Sequence, residues 1–180
     1  MDLTTHLRRM AENSLWSNDR LYRAVLALRP GEFEAERTSF FPSIKETLNH
    51  ILSVDLYYLD MLEEGGRGLG VIDDFEEFDD PAALAAAQAR FDRRLLDFCA
   101  RLRPADLDRR VATDRGEDGQ VPEAIGDLLA HLFQHQIHHR GQVHAMLSGS
   151  SVAPPQLDEY FLAFDADRRQ AEVARLGLPG

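Results

Sequence analysis

Histidines are concentrated near the end of the sequence, where five of the chain's seven lie between His131 and His144. Histidine is the commonest metal ligand in proteins and a general acid or base near neutral pH. Within this run His135 and His139 are four residues apart, so on a helix they share one face. Two imidazoles at this spacing can chelate one ion, as they do in the HExxH zinc motif. The motif's glutamate is absent here, which disfavours a zinc protease of that type.

The two histidines interrupt a stripe that is otherwise suited to face a protein core. The residues of that stripe are Leu128, Leu132, His135, His139, Gln142 and Met146. Burying two polar rings one turn apart is costly unless a partner satisfies them, and two charged rings would also repel each other. A metal ion solves both problems because it binds neutral imidazoles. The alternative is a polar, solvated helix face.

A third ligand is expected from another helix, because two ligands rarely make a stable site. His50 is the candidate, since it lies among apolar residues in a separate helical segment. Its alternative role is that of a hydrogen-bonded core histidine. The sequence thus predicts one divalent transition metal bound by His50, His135 and His139. Zinc or nickel is the expected ion, and iron or manganese also fits, because imidazole does not select among them.

Other residues near this pattern are candidates for orienting a ligand or binding a substrate. His131 extends the four-residue series and is either a fourth ligand or a group behind one. His138 flanks the pair, and Gln142 continues the stripe. Arg140 could bind an anionic substrate or pair with a carboxylate.

A further group of residues has weaker assignments. The carboxylates that could orient an imidazole are those of Asp55 and Asp127. The aromatic side chains that could line a pocket, or else belong to the core, are Trp16, Tyr57 and Tyr58.

Helical periodicity predicts the elements that position these side chains. Four amphipathic helices are expected over about Leu3–Leu28, Ser43–Glu64, Pro81–Leu102 and Pro122–Leu147. Between them lie a long polar connection over Gly65–Asp80 and a turn or short hairpin over Arg109–Val121, and a short last helix follows over Gln156–Arg169. The predicted fold is all-α: a single domain, residues 1–180, formed by a four-helix bundle with a crossover connection and a short C-terminal helix.

Composition limits the classes of function. The net charge of −11 argues against nucleic-acid binding, because phosphate backbones attract basic surfaces. No apolar run approaches the roughly 20 residues that span a bilayer, and the N-terminus lacks a secretory signal, so a cytoplasmic location without membrane association is expected. Cys99 is the only cysteine, which excludes an intrachain disulfide, and its apolar neighbours favour a buried, inert thiol.

Several segments together resemble the DinB/YfiT-like family of metal-dependent proteins. They are HLFQHQIHHRGQVHAML with its HHRGQ core, FFPSIKETLNHIL, SLWSNDRLYRAV and PPQLDEYFL. The resemblance implies a four-helix bundle with crossover topology, often a homodimer. It also implies a metal triad of one histidine from the second helix and an HxxxH pair from the last long helix, which match His50, His135 and His139.

The resemblance implies a reaction only broadly. Some relatives are S-transferases or isomerases that use low-molecular-weight thiols such as bacillithiol or mycothiol, and others have no assigned activity. The preferred hypothesis is a metal-dependent enzyme that activates such a thiol for transfer to a small electrophile. The alternatives are a metal-dependent hydrolase of a small molecule, a non-catalytic metal-binding stress-response protein and a helical interaction domain without metal. A closed coordination shell would favour a non-catalytic ion, and an open position beside a cleft would favour an enzyme.

Overall fold

A computed structural model describes residues 1–179 and is mostly helical, with one small sheet. The helices are α1 (Leu3–Val25), α2 (Ile44–Leu62), α3 (Gly70–Asp73), α4 (Pro81–Arg101), α5 (Ile125–Leu147) and α6 (Ala166–Arg175). The strands are β1 (Arg110–Asp114) and β2 (Gln120–Ala124). Across these described residues, no helix has both the length and the apolar character needed to cross a membrane.

Helices α2 and α4 begin where local chemistry dictates. Ser43 caps α2, because its Oγ accepts a hydrogen bond from the Glu46 amide at 3.1 Å. The Ser43 hydroxyl also donates to the Glu46 carboxylate at 3.1 Å. At α4, the Asp80 carboxylate accepts from the second and third amides of the helix, and Pro81 occupies its first position. Both helix starts agree with the sequence prediction.

The four long helices share one hydrophobic core. Helices α1 and α2 each pack against both α4 and α5. The largest side chains with almost no exposure include Phe91, Leu21, Ile44, Leu48, Leu95 and Ile125. Since α2 lies directly against α5, side chains on the facing surfaces of these two helices can meet.

The hairpin is a second element that the helical prediction only partly anticipated. Strands β1 and β2 pair antiparallel from Arg110 opposite Ala124 to Asp114 opposite Gln120. Pro122 therefore belongs to β2, and α5 begins at Ile125 rather than at Pro122. Val111 and Thr113 are buried at alternate positions, which is the pattern of a strand with one face against a core. The chain is accordingly helical with a small sheet rather than purely α.

The C-terminal segment differs from the predicted short helix over Gln156–Arg169. Residues 148–165, here called the strap, are mostly non-helical, and α6 follows only at Ala166–Arg175. Tyr160 is buried against Trp16 with ring centroids 5.4 Å apart, whereas Phe164 is exposed. An irregular chain can follow the surface of α1 in this way. Glu172 then ties α6 to α1 by accepting a hydrogen bond from Trp16 Nε1 at 2.8 Å.

Candidate metal centre

Three imidazoles converge between α2 and α5. His50 comes from α2, and His135 and His139 come from successive turns of α5. Each ring offers a nitrogen that lies within 4.8 Å of the corresponding nitrogens of the other two. Nε2 of His50 and Nε2 of His135 lie 3.1 Å apart. These three side chains could therefore hold a metal ion.

The nitrogen spacing suits coordination of a single ion. Two imidazole nitrogens each about 2.1 Å from zinc and 3.1 Å from each other would subtend an angle of roughly 95° at the ion. The same 3.1 Å would also suit an N–H···N hydrogen bond between two neutral rings. Such a bond accounts for His50 and His135 alone. The centroid of the His139 ring lies 4.5 Å from that of His135 and 4.7 Å from that of His50, as expected for a three-ring site.

Burial keeps the three rings neutral. It is the main cause that lowers the pKa of His50 to about 4, and the nearby charge of a protonated His139 adds to it. The pKa of His135 is lowered to about 3, again chiefly by burial and then by the neighbouring histidines. Burial also lowers the pKa of His139, although its hydrogen bond to Gln142 opposes this. Neutral rings keep a lone pair free for an ion at pH 7, so the donor set fits a divalent transition metal.

Gln142 fixes the orientation of one of these rings. Its Oε1 lies 2.7 Å from Nδ1 of His139, which leaves the Nε2 of that ring for an ion. Its Nε2 lies 3.3 Å from Nε2 of His138. The Nδ1 of His135, by contrast, is buried and has no hydrogen-bond partner among residues 1–179. The His135 ring is therefore positioned by packing rather than by a second hydrogen bond.

One aromatic ring packs against the site, and a second lies next to His131. Phe41, in the loop before α2, lies over His50 with ring centroids 4.3 Å apart and over His139 at 5.7 Å. The ring of Tyr58 lies 5.1 Å from that of His131, which is outside the converging group. Sequence reasoning did not single out Phe41, because residues in a loop carry no periodic signal. Its ring limits the access of water to the two histidines that it covers.

Two of the candidates for orienting or binding groups lie at the edge of the site. His131 is exposed and stacks parallel to His135 at a centroid distance of 6.3 Å, outside the group of three converging nitrogens. His138 is exposed beside His139, with ring centroids 4.9 Å apart. Of the predicted pocket aromatics, Trp16 and Tyr57 belong to buried clusters, and only Tyr58 comes near the histidines.

The model of the DinB family matches residues 2–171 of the chain. The chain belongs to the DinB family. Protein DinB of Bacillus subtilis strain 168 is 22% identical to it over 153 residues, which cover 83% of this chain and 89% of that protein. The crystal structure of a DinB-like protein from B. subtilis superposes with a TM-score of 0.58 at 16% identity, covering 82% of this chain and 96% of that one. This likeness concerns the fold alone.

A second relative matches this DinB-family chain over only a small part of the relative's own length. A phosphopentomutase of Chromohalobacter salexigens is 34% identical over 129 residues, which are 67% of this chain. The matched region spans 28% of the length of that protein. A match of that extent transfers no activity.

Arg140 hydrogen-bonds to neutral side chains instead of forming the carboxylate ion pair that was one of its two expected roles. Its side chain is buried, and its Nη1 donates to Ser14 Oγ at 3.3 Å and to Asn18 Oδ1 at 3.2 Å. It is absent from the ion pairs formed by residues 1–179. Arg140 follows His139 directly, so the helix turns it roughly 100° away from the metal-facing side. An ion pair was the wrong expectation, because the nearest partners are neutral.

Arg140 belongs to a closed ring of buried polar side chains. The ring links all four long helices and runs through Ser14, Gln136, Asp55, Gln88, Asp92, Asn18 and Arg140, and from there back to Ser14. All seven side chains are almost completely buried. Buried polar groups cost free energy unless they are paired, so the ring specifies how the helices pack against each other.

Asp55 joins this ring instead of orienting an imidazole. Its two carboxylate oxygens accept from Gln136 Nε2 at 3.0 Å and from Gln88 Nε2 at 2.8 Å. Asp127, the other carboxylate considered for that role, is exposed on α5. Because Gln136 follows His135, the Asp55–Gln136 bond fixes the register of α5 against α2. It therefore positions the helices that carry the three histidines.

The ring predicts an unusual pH dependence of stability. Burial raises the pKa of Asp92 from 3.8 to about 7, although hydrogen bonds from Asn18 and Gln88 oppose this. Between these values the folded state binds a proton that the unfolded state has lost, so stability falls as the pH rises through this window. An Asp92→Asn variant has no ionisable group at this position, so its stability does not fall in this window. Relative to the wild type, it should gain on the order of 4 kcal/mol in unfolding free energy between about pH 4 and pH 8.

Urea unfolding of the metal-free protein at several pH values measures this difference. An Asp97→Asn variant, exposed on the same helix, is the matched control and should change little with pH. A difference between the wild type and Asp92→Asn that stays constant from pH 4 to pH 8 would contradict the assignment.

Proposed function

We propose that this DinB-family chain is a metal-dependent enzyme that activates a low-molecular-weight thiol for transfer to a small electrophile. The convergence of His50, His135 and His139 within 4.8 Å carries the proposal. Three protein ligands leave at least one coordination position open, as in catalytic zinc sites, whereas structural sites have four. Within residues 1–179, the converging group contains these three side chains and no fourth ligand.

The chain's own residues prepare the site for an ion and a small ligand. The three rings are kept neutral by burial, which removes the need to displace protons when an ion binds. Gln142 orients His139, and Phe41 shields His50 from bulk water. A divalent ion bound there, zinc or nickel being preferred, would supply Lewis-acid activation of a thiol or of water.

The choice of a thiol rests on the family resemblance rather than on a contact in the site. A hydrolase that activates water would use the same three histidines and is the second candidate. A non-catalytic stress-response protein would need a closed coordination shell, for which His131 lies in the wrong place. We also propose a homodimer, again from the resemblance, which light scattering of the purified protein would test.

A panel of thiols tests the proposed reaction. The protein should be purified without a histidine tag or metal column, analysed for its metal content, and then reconstituted separately with zinc, nickel, iron and manganese. We expect at least one metal form to accelerate transfer of bacillithiol, mycothiol, glutathione or cysteine to a chlorinated aromatic electrophile. The acceleration should be lost in His135→Ala.

The outcomes separate the candidates. If no thiol changes the rate in any metal form, the transferase proposal is wrong. Metal-dependent cleavage of small esters under those conditions would favour the hydrolase. A tightly bound ion without either activity would favour the non-catalytic protein.

A further inference from the structure

A cleft lies on the side of α5 that faces away from the three histidines. Its volume is about 600 Å³, and α1, α5 and the strap enclose it. From α5 it is lined by Ile137, Arg140, Gly141 and His144. These positions recur at helical spacing on the face opposite His135 and His139. The cleft is therefore separate from the candidate metal centre.

The cleft has an apolar wall and a polar floor. Met10, Ile137, Leu157 and Phe161 provide the apolar surface, and Phe161 and Ile137 are 39% and 50% exposed. Three polar residues lining the cleft, Asn13, Ser17 and Arg140, are almost completely buried and so lie deepest. Cavities of roughly 300–1,000 Å³ with apolar walls and a few placed polar groups are typical of sites for small organic molecules.

The guanidinium of Arg140 has N–H donors that no other described residue accepts from. Among the described residues only its Nη1 has acceptors, Ser14 and Asn18. Its Nε and Nη2 form no hydrogen bond with any other residue in the described part of the chain. The ring places no carboxylate within ion-pair distance of Arg140, and burial raises the pKa of both Asp55 and Asp92. The carboxylates of the buried ring therefore neutralise the positive charge of Arg140 only in part.

Gly141 supplies an independent observation. It lies within α5, where glycine is about 1 kcal/mol less favourable than alanine. A Cβ added at this position would meet no atom within 4 Å, so the packing of the chain itself does not require glycine. Glycine in a helix interior permits close approach of another molecule to the backbone. The bare patch of backbone at Gly141 borders the cleft, next to Arg140.

We propose that this cleft binds a small monoanion with an apolar body, such as a carboxylate or sulfonate on a hydrocarbon chain. The anionic group bonds to the free guanidinium donors of Arg140, and the hydrocarbon lies along Gly141 against Ile137 and Phe161. A second negative charge would face the carboxylate of Asp158, which also lines the cleft and is exposed. The strap forms one wall, so the site is concave and suits a small molecule better than the convex surface of a second copy.

Octanoate binding, measured by isothermal titration calorimetry on the full chain, tests this proposal. Octanamide, which has the same length but no charge, should bind at least tenfold more weakly. A Gly141→Leu variant fills the cleft without touching the buried ring, and it should weaken octanoate binding at least tenfold. Ala145→Leu introduces the same side chain at an exposed position one turn further along α5 and should leave binding unchanged.

Several results would overturn the proposal. They are no saturable binding of octanoate to the wild type, equal binding of octanamide, or equal binding by Gly141→Leu and the wild type. If Gly141→Leu instead converts a dimer into a monomer, the cleft is an interface between two copies. Zinc binding should be the same in both leucine variants and the wild type, so failure here is distinguishable from failure of the metal centre.

Discussion

Replacing His135 with alanine is expected to weaken zinc or cobalt(II) binding at least about 100-fold. Loss of a residue that hydrogen-bonds to a metal ligand typically lowers metal affinity about 10–100-fold, and loss of a ligand itself should lower it further. His135 is the central ring of the site, since its Nε2 faces that of His50 at 3.1 Å and its centroid is 4.5 Å from that of His139. Its removal leaves two ligands on different helices, which bind an ion without the support of the chelating pair on α5.

The experiment is a competition titration of the metal-free protein against a chelator of known affinity, followed by the cobalt(II) absorption spectrum. His138→Ala is the matched control, because this residue lies on the same helix, is exposed and falls outside the converging group. Its affinity should change less than tenfold. The metal-free His135→Ala protein should remain folded, since an unsatisfied buried nitrogen is removed with the ring. Equal affinities for the two variants would exclude the proposed centre.

The histidine pair on α5 could be predicted because one simple rule suffices. The four-residue spacing of His135 and His139 places them on one face of a helix, whatever the fold. Predicting His50 as the third ligand required more information, because spacing within one helix does not show which other helix lies opposite. The resemblance of the segments around it to a known family supplied that pairing, and the packing of α2 against α5 agrees with it.

The buried ring was missed, although part of its signal is visible in the sequence. Three helices each carry a pair of polar residues four positions apart, and these pairs are Ser14 with Asn18, Gln88 with Asp92, and Gln136 with Arg140. Gln88, for example, interrupts the apolar series between Leu84 and Phe91. Periodicity reports that such residues share a face, but their partners depend on how the helices are rotated against one another. Asp55 was therefore wrongly considered as a partner for an imidazole.

The strap and the hairpin show a different limit. The apolar residues Leu157, Tyr160, Phe161 and Phe164 have near-helical spacing, yet this segment is mostly non-helical. Tyr160 is satisfied by packing on Trp16 and needs no helix of its own. Pro122 is compatible with a helix start, but in the structure it lies in β2, opposite Ala112 of β1. The hairpin is favoured because β1 buries Val111 and Thr113 on one face. In both cases tertiary contacts override a local preference.

Replacing Gln136 with leucine should destabilise the metal-free protein by about 2–5 kcal/mol. The change keeps the volume of the side chain but removes the acceptor of the Ser14 hydroxyl, which is 2.7 Å away, and the donor to Asp55, which is 3.0 Å away. Each buried polar group left without a partner costs about 1–3 kcal/mol. Two such groups would cost about 2–6 kcal/mol, and leucine recovers part of this loss by burying apolar surface, which lowers the upper limit to about 5 kcal/mol.

Gln134→Leu is the matched control, because Gln134 is exposed on the same helix and should change stability by only about 0.5 kcal/mol. Urea unfolding of both variants gives the free energies, and the cobalt(II) spectrum of each reports whether the ligand geometry has changed. If the ring sets the register of α5 against α2, Gln136→Leu should alter the spectrum as well as the stability, since His135 is the adjacent residue. Loss of stability with an unchanged spectrum would mean that the ring supports the core without positioning the histidines. Equal stability of the two variants would show that the ring contributes neither.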